Sequence, residues 1–454
     1  MKNIKKIICI ALSMLLIAQI GVLAAGAADK DYTIVSPYED VIWDGENAWG
    51  AYKGSLHTHS TYSDADETLV TMVKEHYNQG YDFLAFADHG TTGVAWNKAP
   101  SIVALYYYQL IIGNKFEHLT DEEFEAITSG TYNNRGKGMT CVTGANEFNY
   151  ISLTKNHVNG YFITSKANAF PGGENEKGYT DALDYIDKAG GLSHINHPGD
   201  WLASNQNPEV VNDPAKVEFF GDLILKYDSC LGTEVFNERN GTTGYDRVLW
   251  DNLLMYTLPY GKTVIGFSNN DAHHTGTVDT SFNVFMMDEN NMETIKETMQ
   301  SGAFFMVTRM LRKNVVNEIG PEEEFDASNT ELAYPMFNKL TVDGHKITVS
   351  VKDATQVQFI ADGKVISKSA VDANGATVTL DLDTIEGAED FLYVRVEALG
   401  EGGMTLSQAL VIDDGSEKPD YEEVTRDCAG FFEYIYRSSK LCSIINELIA
   451  LIKG

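Results

Sequence analysis

The chain has 454 residues, 43% of them hydrophobic and 11% aromatic, enough for a large buried core and for more than one ordinary domain. Its formal charge of -31, from 34 basic and 65 acidic side chains, excludes wrapping of duplex nucleic acid, which needs Lys and Arg to replace condensed counterions. A small phosphorylated substrate stays compatible, because bound cations invert the local field.

Residues 1–27 read as an export signal. Lys2, Lys5 and Lys6 precede an apolar stretch over residues 7–23, and Ala25-Gly26-Ala27 offers a small-x-small cleavage site. The expected location is therefore secreted or at the cell surface. Cys141, Cys230, Cys428 and Cys442 follow with no CxxC spacing, so neither a zinc ribbon nor a redox motif is indicated. Over residues 28–313 apolar runs alternate with amphipathic stretches. Residues 81–87 (YDFLAFA) read as a buried strand, and before it Leu69, Val70, Val73 and Tyr77 repeat at helical spacing. Residues 264–267 form another such run, and residues 292–299 a helix after it. Repeated strand-helix units favour a parallel sheet or barrel, with chemistry at the C-terminal strand ends. Residues 314–334 are acidic and break the pattern, marking a linker. Residues 335–414 change to short alternating strands with Asp362-Gly363 and Asn374-Gly375 as turns, which predicts a small β-sandwich. After a polar linker at 415–424, residues 425–454 read as one amphipathic helix with Phe431, Ile435, Cys442, Ile445, Leu448 and Ile452 on one face. Docking on the chain itself, self-association and membrane-surface contact all remain open for it.

Chemistry concentrates at the ends of the apolar runs. In His57-Thr58-His59, strand alternation turns both imidazoles to one side, and Asp64 follows as a hard oxygen ligand. Asp88-His89 closes the 81–87 run. Glu147 and His157 come next, then His194 and His197 around the end of a further run. Asp271, His273 and His274 follow the last one. The same alternation pairs Asp271 with His273 and selects it over His274. So many imidazoles interleaved with carboxylates suit two or three divalent ions such as Zn, Mn or Fe. Close metals suit hydrolysis, because they generate a hydroxide nucleophile at neutral pH and clamp a phosphoryl group.

These motifs resemble the polymerase and histidinol phosphatase (PHP) superfamily of metal-dependent phosphoesterases. H-x-H-[ST]-x-x-S-D appears over residues 57–64, and the T-D-H element as Ala87-Asp88-His89. G-x-E, H-x-x-G-Y, H-P and D-x-H elements match around Glu147, His157, His197 and Asp271 with His273. The resemblance implies a distorted (β/α)7 barrel with a trinuclear site, in an α/β chain whose β domain follows the barrel. It makes His57, His59, Asp64, His89, Glu147, His157, His197, Asp271 and His273 the ligands, with Glu147 bridging two ions. Ala87 and Ala145 depart from the usual Thr and Gly. Asp200, in His197-Pro198-Gly199-Asp200, stands where many relatives carry a phosphate-binding Arg. Arg239 and Arg309 are the candidate substitutes.

The expected activity is a secreted phosphoesterase acting on a phosphomonoester or phosphodiester of a small molecule or nucleotide by metal-bridged hydroxide attack. His194 or His274 is left over to protonate the leaving oxygen or to orient a ligand. Trp201 and Tyr161 are candidates for stacking on a base or sugar, or for core filling. Two rivals stand beside this: an amidohydrolase-like metal hydrolase of a C–N or C–O bond, and a non-catalytic surface-binding protein with structural metals.

Overall fold

The computed structural model describes residues 31–100, 109–148, 155–163, 176–238, 244–309 and 332–424. The expected export signal, most of the 314–334 linker, Arg239 and the 425–454 helix lie outside them. No helix among the described residues is long and apolar enough to cross a membrane.

The protein is a mixed α/β structure. Its first strands and helix are β1 (Thr33–Val35), β2 (Gly50–Ser55), α1 (Leu69–Asn78) and β3 (Phe83–Ala85). In α1 the side chains of Leu69, Met72, Val73, His76 and Tyr77 are buried at helical spacing, and the Thr68 hydroxyl caps the first turn by accepting from the Thr71 amide. Next come α2 (Asp121–Ser129), β4 (Thr140–Val142), β5 (Asn146–Phe148), β6 (Val158–Tyr161), α3 (Glu176–Lys188) and β7 (Leu192–Ile195). The short α4 (Pro198–Leu202) and α5 (Pro214–Lys226) lead to β8 (Cys230–Asn237), α6 (Asp246–Thr257) and β9 (Ile265–Asn269). Finally β10 (Ser281–Met287), α7 (Met292–Ser301) and β11 (Phe304–Thr308) complete this part. Asn291 caps α7 in a box with Thr294, and Gly302 ends it at φ 76°.

Strands β2, β3 and β4 pair in parallel, and β10 joins β2 antiparallel. A second sheet runs β5-β6-β7-β8-β9, with β7, β8 and β9 parallel but β6 antiparallel to both neighbours. The two sheets meet at two isolated parallel bridges, Thr58 with Ala272 and His89 with Glu147. Among the described residues no continuous ladder closes a barrel. Side-chain amides fill part of the gap. Asn283 on β10 accepts from the Ser268 amide at 2.9 Å and donates to the Ser268 carbonyl at 2.7 Å, as a neighbouring strand would. Between β8 and β9 the backbones approach so closely that a Cβ on Gly232 would sit 1.9 Å from the Ile265 carbonyl oxygen. Residues of β6, β7 and β9 are buried throughout, as strands covered on both faces are.

The C-terminal strands are β12 (Met336–Asp343), β13 (Lys346–Lys352), β14 (Gln356–Ala361), β15 (Lys364–Ala370), β16 (Ala376–Asp381), β17 (Tyr393–Gly400), β18 (Gly403–Leu406) and β19 (Leu410–Asp413). Strands β12, β13 and β16 form one sheet. The others do not form a closed second layer of their own. β18 pairs with β11, so β14, β15, β17, β18 and β19 extend the same sheet that contains β2, β3 and β4. The small β-sandwich expected from sequence is thus represented by the β12-β13-β16 sheet and by strands continuous with the β2-β3-β4 sheet. An apolar edge at β11 is better covered by strand pairing than left open. Asp362-Gly363 makes the expected hairpin turn, both residues at positive φ. Asn374-Gly375 instead carries the chain across to the other sheet, because β16 pairs with β13.

A buried ionic network fastens α6 to β17. Arg395 is fully buried and donates to both Asp251 oxygens at 2.7 and 2.8 Å and to Glu397 at 2.7 Å. Arg247 also reaches Glu397 at 2.9 Å, and the Tyr393 hydroxyl donates to Asp251 at 2.6 Å. Arg395→Met takes the cation from buried Asp251, leaving it the Tyr393 hydroxyl, while Glu397 keeps Arg247; urea denaturation should show a loss of about 3–5 kcal/mol.

Candidate metal centre

Ligand candidates collect on one rim of the strands. His57, His59 and Asp64 follow β2, His89 follows β3, Glu147 lies in β5, His197 follows β7, and Asp271 and His273 follow β9. His157 precedes its strand, and the antiparallel β6 explains why: its beginning lies on the rim where parallel strands end. Alternation operates as expected after β2. Thr58 turns its hydroxyl the other way, within 3.3 Å of His76 Nε2 and of Asn270 Oδ1.

Glu147 is the hub. Its Oε2 lies 3.3 Å from His57 Nε2, 3.1 Å from His59 Nε2 and 3.3 Å from His89 Nδ1. Its Oε1 lies 3.0 Å from His157 Nδ1 and 3.4 Å from His197 Nε2. Asp271 Oδ1 is 3.1 Å from His57 Nε2 and 3.0 Å from His59 Nε2. Asp64 stands to one side, 3.4 Å from His89 Nε2 and 3.3 Å from His273 Nε2. Three groups there could each hold a cation: His57, His59, Glu147 and Asp271; His59, Asp64 and His89; and His89, Glu147 and His157.

The residues behind the rim fix which nitrogen faces inward. Glu234 is fully buried and accepts from His57 Nδ1 at 2.8 Å, Asn269 Nδ2 at 2.9 Å, Asn237 Nδ2 at 2.8 Å and the His197 amide at 2.9 Å. His57 therefore carries its proton on Nδ1 and turns the Nε2 lone pair to the carboxylates. Ser63 donates to Asp88 at 2.7 Å and so accepts from His59 Nδ1 at 3.2 Å. His273 Nδ1 donates to the Asp271 carbonyl at 2.8 Å. When neutral, each of these three imidazoles aims a lone pair at carboxylate oxygens. Lone pair facing lone pair at such distances calls for a positive charge between them. Burial works against protonation of His57 and His59, yet the carboxylates Glu147 and Asp271 hold both imidazoles well above their usual pKa. Burial likewise opposes ionisation of Glu147, but His157, His57 and His89 hold it well below the carboxylate range. Divalent cations meet the same demand, and the mixed N/O donor set fits them. His197 and Asp271 also sit at φ 24° and 44°, a left-handed strain that non-glycine residues rarely carry.

Other candidates lie elsewhere. His194 is fully buried, its Nε2 hydrogen-bonded to Tyr161 at 2.9 Å and its ring stacked on Phe267. Burial lowers its pKa to about 4, so it is neutral and unsuited to protonating a leaving group. His274 is exposed and accepts from the Gly276 amide at 3.2 Å as a turn cap. Arg309 is no phosphate clamp. It is buried against Asp279 at 2.9 Å and bonded to the Leu332 and Gly402 carbonyls. Tyr161 is a buried core residue, and Trp201 is half-buried, packed on the core against Tyr179 and Phe220. Asp200 pairs with the exposed Lys155 at 2.8 Å, two residues before His157 in the chain. The free thiols of Cys141 and Cys230 are pushed up to about 12 and about 11 by burial.

Glu234 was not singled out from sequence. Its one visible signal is a carboxylate inside an otherwise apolar buried strand, Thr233-Glu234-Val235-Phe236. Asp88 was visible only as the neighbour of His89, yet it ties down the Ser60–Ser63 turn through Ser60 and Ser63.

No protein-family model matches the chain, and no curated protein matches it. Among solved structures it is similar to PHP-like metal-dependent phosphoesterases. A two-domain protein from Bacteroides vulgatus containing a predicted PHP-like metal-dependent phosphoesterase is 14% identical, covering 85% of this chain and 100% of its own, at a TM-score of 0.40. A candidate metal-dependent phosphoesterase from Bifidobacterium adolescentis is 16% identical, with 56% and 98% covered and a TM-score of 0.29. The lesion-specific endonuclease EndoQ from Pyrococcus furiosus is 12% identical, with 58% of each chain covered and a TM-score of 0.30. Likenesses this low carry no argument about chemistry, which rests on the geometry.

Replacing Glu234 with Gln exchanges the charged acceptor that orients His57 for a neutral amide and sets its NH2 against donors that Glu234 now accepts from. Metal retained after dialysis should reflect an affinity about 10–100-fold lower, with the fold intact by circular dichroism.

Proposed function

We propose that the protein is a metal-dependent phosphoesterase acting on a small phosphorylated substrate. The observation that carries this reading is the Glu147 hub, where five imidazoles meet one buried carboxylate beside Asp271 and Asp64. Two or three divalent ions, of the Zn, Mn or Fe kind, fit its donor groups. When bound they would supply Lewis acidity toward a phosphoryl group and activate water at neutral pH. The finer architecture proposed is a distorted (β/α)7 barrel with a β domain behind it and a C-terminal amphipathic helix. Export through the N-terminal stretch belongs to the same proposal, as does contact of that helix with a membrane surface or a second copy.

The chain's own part is binding and orientation. His57, His59 and His273 present lone pairs whose direction Glu234, Ser63 and the Asp271 carbonyl set. Asp64 and His273, the most accessible members, mark the side from which a substrate enters. Lys155, two residues before His157 and tethered by Asp200, is the cation we propose for binding a phosphate in place of the absent Arg.

His57→Ala and Asp271→Ala should each abolish hydrolysis of p-nitrophenyl phosphate or its bis ester and lower the metal content. Full turnover in either folded variant removes the assignment. A panel that adds amides and carboxylic esters separates this reading from a C–N or C–O hydrolase. For Lys155→Ala the expected result is a higher KM for phosphoesters with kcat little changed.

A further inference from the structure

Strand β9 carries Asp271 and His273 just past its last residue, and β8 runs parallel to it. Their first residues, Ile265 and Cys230, therefore lie at the opposite end of the molecule. At ~3.3 Å per residue, β8 puts that end roughly 23 Å from the metal rim. A groove of about 490 Å³ opens there. Val35, Pro37, Leu231, Ile265 and Val411 supply its apolar lining, and Glu39, Asp40 and Asp228 its acidic members. Lys262, its one lysine among the described residues, is spent on the Tyr227 carbonyl at 2.9 Å. The last turn of α7, at Gln300 and Ser301, adds the negative end of a helix dipole. The groove thus combines apolar surface with negative charge.

Contacts lead the chain to this groove after β19. Lys418 passes Gly261, where a Cβ would meet its Cγ at 3.4 Å. Tyr421 stands edge-on to Tyr260 at 5.8 Å, and Glu423 pairs with Lys226 at 2.5 Å. Gly261 lines the groove, Tyr260 precedes it, and Lys226 comes two residues before the lining Asp228. The described residues end here at Val424. Val424 is 46% exposed, Tyr260 36% and Val35 48%, so apolar side chains stay open on the face where the remaining residues begin. Residues 425–454 hold four basic against three acidic side chains, in a chain of net charge -31. Phe431 and Ile435 are the first of their apolar series at helical spacing, and Arg426 and Arg437 stand on either side of that pair in sequence. Phe431 is seven residues past Val424, a reach of up to roughly 25 Å.

We propose that this groove is the docking site of the chain's own C-terminal segment, with Phe431 and Ile435 seated in it as the i and i+4 anchors of an amphipathic helix. Arg437 is set against the acidic members of the lining. The volume takes a few side chains and not a whole helix, so Ile445, Leu448 and Ile452 remain for the membrane-surface or second-copy contact already proposed. The docked segment braces β1, β8 and β9 at the end remote from the metals. The inference goes beyond the phosphoesterase reading and stands without it.

The test places a photo-cross-linking p-benzoylphenylalanine at Val35 of the full chain, an exposed position that tolerates it. A second preparation carries the probe at Ile111, which is 83% exposed and follows Gln109, itself bonded to the Ser63 and Ala65 carbonyls at the rim end. Mixtures of isotope-labelled and unlabelled chains are irradiated with and without vesicles of phosphatidylcholine and phosphatidylglycerol, and the joined peptides are mapped by mass spectrometry. The probe at Val35 should join residues 425–440 of the same chain in both conditions, and the probe at Ile111 should not. Phe431→Ser combined with Ile435→Ser should remove that cross-link and speed tryptic cleavage after Arg437 at least about tenfold. Cross-links between differently labelled chains, capture of lipid in place of the segment, equal capture from Ile111, or no capture at all each overturn the proposal. So does a cross-link that survives in the double variant.

Discussion

The Glu147 carboxylate is the constraint on which the rest of the architecture depends. Fully buried and met by five imidazoles, it is tolerable only if positive charge is shared around it. That condition explains the polar layer beneath the rim. Glu234, Asp88, Asn196, Asn237 and Asn269 are all buried, and each spends its hydrogen bonds on a ligand or on the backbone and carboxylates that hold one. Asn196 donates to Glu147 itself at 2.7 Å and to Asn159 at 2.9 Å, fixing the carboxylate's plane from below. A network this extensive specifies one arrangement when complete and is destabilising when broken, so its members are bound together as one unit.

Sheet geometry delivers the ligands to that hub. Parallel β2, β3, β7 and β9 release theirs just past their last residues, where the backbone is free to turn. The left-handed conformations of His197 and Asp271 show how sharply it turns. The reversed β6 supplies His157 from its start. Where ladders are interrupted, amides stand in for strands: Asn283 serves Ser268, and Gln408 clamps both the amide and the carbonyl of Gly266 at 2.9 and 2.8 Å. Gln408 comes from the C-terminal strand region, so that region helps shape β9 and, through it, the turn bearing Asp271 and His273.

Much of the rim was legible because alternation and burial leave marks in a single sequence. His57 and His59, or Asp271 and His273, must share a side whenever their segment is extended, and Thr58 and Ala272 must face away. The helix at α1 was readable from apolar spacing, although Val70 is only partly buried and His76 occupies a core position. What stayed hidden depends on contacts between distant segments. Nothing local says that β6 runs backward, that β18 will pair with β11, or that Asn374-Gly375 crosses between sheets. The same limit misdirected the choice of proton donors. His194 and His274 each neighbour a ligand in sequence, but one faces the core against Phe267 and the other faces solvent. Arg309 looked available because its partner Asp279 is thirty positions away.

Helix α6 ties these levels together. Arg247 and Asp251, one turn apart, present charge to Glu397 and Arg395 on β17. The buried ionic network cannot be a net source of much stability, since desolvating so many charges offsets most of their attraction. It does fix rotation: turning α6 by one residue would separate Arg247 from Glu397 and Asp251 from Arg395 together. The C-terminal strands therefore set the angular position of α6 without contributing a ligand to the rim.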